Sequence, residues 1–403
     1  MRKLILITLL LLSITPCLRA QRKQLSQARS YIKSGKDLDK AEKILQELLR
    51  SDSANITNTK IYQLWYQALQ KQYDSGNEKL YLKQQYDTAA FFKTTDKMFE
   101  VLEKLDSVDT VLNGDRPKFR ARSSADLNKL RPNLYFGGAF FVRKADYKTA
   151  YLIFDRYLKC ADMPMFAHYD YANTDRRMEQ AAYWATYCGY KLKVPEMTLR
   201  YSDKALADTA RMGQTLKYMA EAYLIDEDTV DYVSALERGF EKYPMSLYFY
   251  PKLLEYYTVT NKLDSALLIT DRGLSFDKEN KMFLFAKSSI LLNVGRYDEC
   301  IAVSDSLIAM NDSLGEPHFN AGTAYLNKAL DKETSMSKSL DRNEIRKNKE
   351  TLMSLYRKAL PYMEKYRVLA PKEKRKWGPA LYRIYLQLNM GRQFEEIDKI
   401  ISE

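Results

Sequence analysis

Chemistry-bearing residues are sparse in this chain. Its two histidines, His168 and His318, stand far apart, and neither has a carboxylate or cysteine cluster at ligand spacing. A metal site or a histidine-centred triad needs such neighbours, so His318 is read as a packed or groove-lining residue. The signatures G-x-S-x-G and H-E-x-x-H are absent, as is a glycine-rich loop ending in Lys-Ser/Thr. The pair Gly137-Gly138 resembles part of a phosphate loop, but no strand is expected before it and no Lys-Ser/Thr follows; close helix packing is the expected role. Acidic residues are abundant, and nothing singles out a glycosidase-like pair. No cofactor, metal or catalytic residue is expected, and the chain reads as non-enzymatic.

The cysteines and tyrosines carry more information. Cys160, Cys188 and Cys300 match no metal spacing and are expected as buried small hydrophobes. A disulfide between Cys160 and Cys188 stays open if the compartment is oxidising. Of the 31 tyrosines, Tyr183, Tyr187 and Tyr190 follow at spacings of four and three, which puts them on one helical face. Ala182, Ala185 and Cys188 supply the core face of that helix. The three tyrosines therefore either bury against a neighbouring helix or lie open as an amphipathic platform of the kind that dominates binding hot spots.

The elements that must position these residues are helices. Between 213 and 312 three units of equal length succeed one another, with Tyr232, Ala266 and Cys300 in register at 34-residue intervals. Apolar stacks precede them: Leu216, Met219, Ala220 and Tyr223 in the first unit; Tyr250, Leu253, Leu254 and Tyr257 in the second; Leu284 and Leu291 in the third. Helical spacing within a unit and a fixed period between units describe a stacked array. Only 14 Gly and 11 Pro in 403 residues, with 46% hydrophobics, agree with a helical globular chain.

Earlier, Ala28, Ile32, Ala41, Leu45 and Leu48 line a first helix pair, and Ile61, Leu64, Trp65 and Ala68 a following helix. The organisation expected is 1–20 as a leader, 21–105 as N-terminal helical repeats, 106–131 as an extended connector or irregular turn, and 132–403 as a repeat array. The connector reading rests on Gly114, Pro117 and the Ser and Asp residues around them. Extra residues at 163–175 interrupt the array, as does a charged insertion near 332–349, expected as helix extension or loop. Leu388-Asn389-Met390-Gly391-Arg392 echoes Leu292-Asn293-Val294-Gly295-Arg296, and the polar last helix suits a terminal cap.

Arg2 and Lys3, the apolar run 4–14 and Leu18-Arg19-Ala20 describe a secretory signal peptide with cleavage after Ala20. Pro16 argues against lipid attachment at Cys17. No other apolar run approaches membrane-spanning length. Removing Arg2, Lys3 and Arg19 lowers the net charge from +12 to +9, spread along the chain with no nucleic-acid motif. The mature protein is expected in the periplasm or outside the cell.

The period and motif resemble the tetratricopeptide repeat (TPR), a helix–turn–helix unit of this length. Small residues stand where its two helices cross (Ala266, Cys300), a Gly ends the first helix (Gly295), an aromatic opens the second (Tyr297), and a Pro closes the unit (Pro244). The resemblance implies an all-α, right-handed α-solenoid and a general role in binding polypeptides. Its inner-surface positions, carried onto this sequence, are Tyr135 and Arg143, then Tyr183, Tyr187, Tyr190 and Lys191, then Lys217 and Glu221, Tyr248 and Glu255, Phe285 and Asn293, and Phe319 and Asn327. Arg143 and Lys191 at equivalent positions would suit an acidic peptide or a chain terminus. The expected partner is thus a protein or peptide segment, with no nucleic acid and no membrane span. The alternative is a glycan- or nutrient-binding component of an outer-membrane system, since aromatic rings also stack on sugars.

A second resemblance concerns Asp followed by Ser or Thr and a small or aliphatic residue. It recurs at Ser53, Thr88, Ser107, Thr110, Thr209, Thr229, Ser265, Ser306 and Ser313, and is similar to an O-glycan acceptor motif of exported bacterial proteins. Helix capping is the competing reason for the same pairs. Ser306, inside an expected helix, is set apart from the other eight candidates.

Overall fold

The computed structural model describes residues 21–336 and 342–402. The leader at 1–20, with Cys17, lies outside the described residues, as does the centre of the charged insertion, 337–341. Among the described residues there is helix and turn but no strand. The chain divides into two compact units, 1–235 and 236–403. Each is a stack of helix–turn–helix pairs, so the fold is of the all-α solenoid class with TPR-like repeats.

The first unit begins with α1, spanning 21–34, and α2 (Leu38–Ser51), followed by α3 (Thr59–Tyr81) and α4 (Thr88–Asn113). Next come α5 (Arg120–Arg143) and α6 (Tyr147–Lys159), then a 3₁₀ turn (Pro164–Tyr169) and the short α7 (Tyr171–Thr174). Helix α8 (Met178–Leu192) pairs with two fragments, α9 (Pro195–Leu199) and α10 (Ser202–Ala205), and α11 (Met212–Ile225) follows. The boundary between the units falls inside α12 (Thr229–Lys242).

The second unit holds α13 (Phe249–Val259), α14 (Leu263–Phe276), α15 (Lys281–Asn293), α16 (Tyr297–Met310), α17 (Gly315–Met336), α18 (Arg342–Leu369), α19 (Lys374–Gln387) and α20 (Gly391–Ser402).

Local sequence explains these boundaries. The second helices α12, α14 and α16 begin at Thr229, Leu263 and Tyr297, 34 residues apart. At the crossings Ala266 and Cys300 are fully buried. Gly295 turns the chain after α15 at φ +79°, the left-handed region where a side chain is unfavourable. Asp87 caps α4, accepting from the Ala89 and Ala90 amides. Within α2, Ala41, Leu45 and Leu48 form the buried stripe that its apolar spacing predicts.

One expectation needs correction. Residues 106–131 are not an extended connector: only the turn between Asn113 and Arg120 is non-helical. The polar residues that look loop-like in sequence are satisfied inside the fold. Arg120 donates twice to the Asp106 carboxylate, at 2.8 and 2.9 Å, and once to Thr110. The fully buried Asp109 accepts from the Phe119 amide at 2.7 Å. In the charged insertion, α17 reaches Met336 and α18 starts at Arg342, so its described parts extend these helices.

The extra residues 163–175 fold against α5 around one cation. Arg131, 5% exposed, lies between the rings of Tyr157 and Tyr171, 3.9 and 3.8 Å from their centroids. It also pairs with Asp175 at 2.6 Å. The Tyr157 hydroxyl donates to the same carboxylate. Burial by itself would raise the Asp175 pKa, but the hydrogen bonds from Tyr157, the Arg177 amide and Arg131 outweigh it and hold the carboxyl below its usual value.

Candidate ligand grooves

The α8 tyrosines form an aromatic ladder between neighbouring repeats. Its centre is Tyr218 of α11, which stacks on Tyr190 at 4.4 Å between centroids and contacts Tyr187 and Tyr183 at 5.7 and 6.2 Å. Tyr183 is buried, while Tyr187 and Tyr190 are half-buried. Of the two arrangements open from sequence, packing against the next first helix therefore takes Tyr183 wholly and the other two in part. Lys191 crosses the end of the ladder, its ammonium 5.7 Å from the Tyr147 ring and 5.9 Å from the Tyr187 ring. Burial, and then the Tyr147 hydroxyl, raise the Tyr187 pKa, which keeps the phenol neutral.

Beyond the ladder, α8 and α11 enclose a pocket of about 350 Å³. Tyr190, Lys191, Lys193, Thr198, Glu221 and Ile225 line it. Lys193 sits at the helix C-cap with φ +56°. Three residues expected in the groove, Tyr190, Lys191 and Glu221, do converge here; Arg143 is exposed on α5 and does not line this pocket. The close fit below depends on Gly189, where a Cβ would come within 2.4 Å of the Thr198 backbone nitrogen.

In the second unit, α13 and α15 flank a larger groove of about 660 Å³. On α15, Met282, Phe285, Ser289 and Asn293 follow at helical spacing along its wall, facing Pro251, Leu254, Glu255 and Thr258 of α13. Leu307 and Leu314 close the floor. Phe285 is 38% exposed. This groove gathers the expected Glu255, Phe285 and Asn293. Of its apolar members, Leu254 is read from sequence only as part of an apolar stack, and Met282 and Ile290 are not singled out.

The remaining candidates lie apart. Tyr135 packs on Phe154 and Tyr157 and donates to Gln180 at 3.1 Å. Lys217 is half-buried on α11, and Tyr248 stands at the N-cap of α13. Phe319 packs on Tyr366, and Asn327 is half-buried on α17. Gly138 meets the Phe154 ring, where a Cβ would come within 2.6 Å, so that glycine serves helix packing.

Cys160, Cys188 and Cys300 are free and buried. Burial pushes the Cys160 and Cys188 thiols up to about 12 and Cys300 to about 11. The imidazole of His318 is buried beside Asp312. Among the described residues no group of three or more His, Cys, Asp or Glu side chains is placed to hold a metal.

The Asp-Ser/Thr positions divide by environment. Ser53, Thr209, Thr229 and Ser313 are exposed at turns or helix starts. Thr88 and Ser265 are half-buried in first turns. Ser107 and Ser306 donate back to helix carbonyls, and Thr110 is tied to Asp106 and Arg120.

No family model matches the chain, and no curated protein matches it. Among solved structures, a monomeric mutant of IFIT1 with Gppp-AAAA is similar over 86% of this chain and 73% of its own, at 11% identity and a TM-score of 0.36. The P58(IPK) TPR domain is similar over 92% of this chain and 99% of its own, at 11% identity and a TM-score of 0.26. At these scores the fold assignment stands on the helix pairs of this chain itself.

Proposed function

We propose that the chain is a non-enzymatic scaffold that holds a polypeptide segment in the clefts between successive first helices of its repeats. The observation that carries this reading is the groove between α13 and α15. It is large, lined mostly by apolar side chains, and rimmed by Glu255, Thr258, Ser289 and Asn293. An apolar trough with a few polar groups at its edge is the usual form of a side-chain-binding groove. Lys191 and Lys193 at the α8/α11 pocket add a preference for acidic segments. The leader-like 1–20 stretch supports export, with action in the periplasm or at the cell surface.

The test is cross-linking in the periplasm to identify a partner, followed by affinity measurement with Phe285→Ala, Tyr187→Ala and Lys191→Ala. Loss of at least tenfold for Phe285→Ala at unchanged helicity supports the groove. Wild-type affinity for all three variants overturns the reading. Lys191→Ala alone reports on the acidic preference, which should also weaken with salt.

A further inference from the structure

Helices α3 and α5 enclose a third cleft, with different chemistry. On α3, Gln63, Gln67 and Gln70 recur at spacings of four and three, with Tyr66 among them. Opposite, α5 and its cap present Phe119, Arg122, Ser123 and Asp126, and Leu102 and Leu105 of α4 form an apolar floor. The volume is about 350 Å³, at the small end of ligand sites. We propose that this cleft binds a neutral saccharide of one or two rings.

Four features lead there. First, none of the three carboxamides is hydrogen-bonded to another described residue. Each offers an acceptor oxygen and two N–H donors. Such groups read vicinal hydroxyls in pairs, because each hydroxyl both donates and accepts.

Second, charge is balanced. Arg122 approaches Asp126 at 4.0 Å, so the lining holds one cation and one anion. An anionic ligand would meet Asp126 and a cationic one Arg122.

Third, a purely apolar ligand would cover the amides without satisfying them, which is costly. A sugar ring instead sets its C–H face on Phe119 and the leucine floor and turns its hydroxyls to the glutamines.

Fourth, the wall is preorganised. The Phe119 amide is bound by buried Asp109, which Asn113 also holds at 2.7 Å, and Arg120 is locked on Asp106. Ordering on binding is then confined to the glutamine side chains across the cleft, of which Gln67 and Gln70 are exposed.

This inference is independent of the polypeptide reading, because it uses other helices and other residues. The test is calorimetric titration of the mature full chain with neutral oligosaccharides of the gluco-, manno-, galacto- and xylo- series at up to millimolar concentration. At least one series should bind, and the double variant Gln67→Ala/Gln70→Ala should weaken it about tenfold or more with unchanged circular dichroism. Tyr66→Phe, which keeps the buried ring, checks that an effect comes from polar contacts rather than from unfolding. The free sugar and the same sugar on a short glycopeptide are compared side by side. Equal affinity supports recognition of the sugar itself. The proposal is overturned if no series binds, if the glutamine variants bind like wild type, or if only the glycopeptide binds.

Discussion

At the scale of single residues, Arg131 is buried between two tyrosine rings with Asp175 as counter-ion. Removing one partner of a buried pair leaves the other charge uncompensated, which costs about 3–5 kcal/mol. Arg131→Ala should therefore lower unfolding stability by about 3 kcal/mol in urea titration, and Arg131→Lys, which keeps charge but not the planar stacking, by less. The Asp175 carboxyl is held below its ordinary pKa. Its stabilising contribution is thus complete above roughly pH 4 and disappears as pH falls through the lower folded value. Stability measured against pH should show that loss in wild type and a flatter acid limb in Arg131→Ala. The thiols give a second expectation. With pKa values pushed up to about 12, 12 and 11 by burial, Cys160, Cys188 and Cys300 should not react with a thiol reagent at neutral pH until denaturant is added. Prompt reaction of the native protein would show that these sites open.

At the scale of helices, function depends on how closely successive elements approach. The α8/α11 pocket exists because α8 lies directly on the α9 backbone at Gly189. A Cβ there meets main chain rather than a movable side chain, so Gly189→Ala should cost about 1–3 kcal/mol by overpacking and widen the spacing that holds Tyr190 near Tyr218. Tyrosine fluorescence and thermal melting together report both effects. Unchanged melting would mean that α9 shifts freely, and the pocket would then not be a rigid site. The connector misreading belongs to this scale as well. Asp106 and Asp109 are turn-forming types in isolation, yet here they close the α4–α5 junction by accepting from Arg120 and from the Phe119 amide.

At the scale of the whole molecule, the two compact units are each built by neighbour-to-neighbour stacking. Such arrays lose protection locally when a core residue is truncated. Leu45→Ala should raise hydrogen exchange chiefly in the helices around α2, and Leu381→Ala chiefly in those around α19, both sites being fully buried. A uniform loss of protection across 21–402 from either variant would show a single cooperative block instead.

The amino-acid sequence by itself determined the helical class, the repeat length and the small-residue crossings, because these depend on local spacing that one helix pair already expresses: Ala266, Cys300 and Gly295 need only their own repeat. It also showed the tyrosine face of α8 as a periodicity. Tertiary structure alone decided what those faces meet. Tyr218 became the centre of the ladder because α11 lies beside α8. Lys193 reached the pocket through a left-handed cap. The Gln63/Gln67/Gln70 face, an ordinary polar stripe in sequence, became the wall of a cleft because α5 and Phe119 stand opposite it. Packing between helices is set by side-chain volumes distant in sequence, so a period identifies the face, and the neighbour across the gap determines its chemistry.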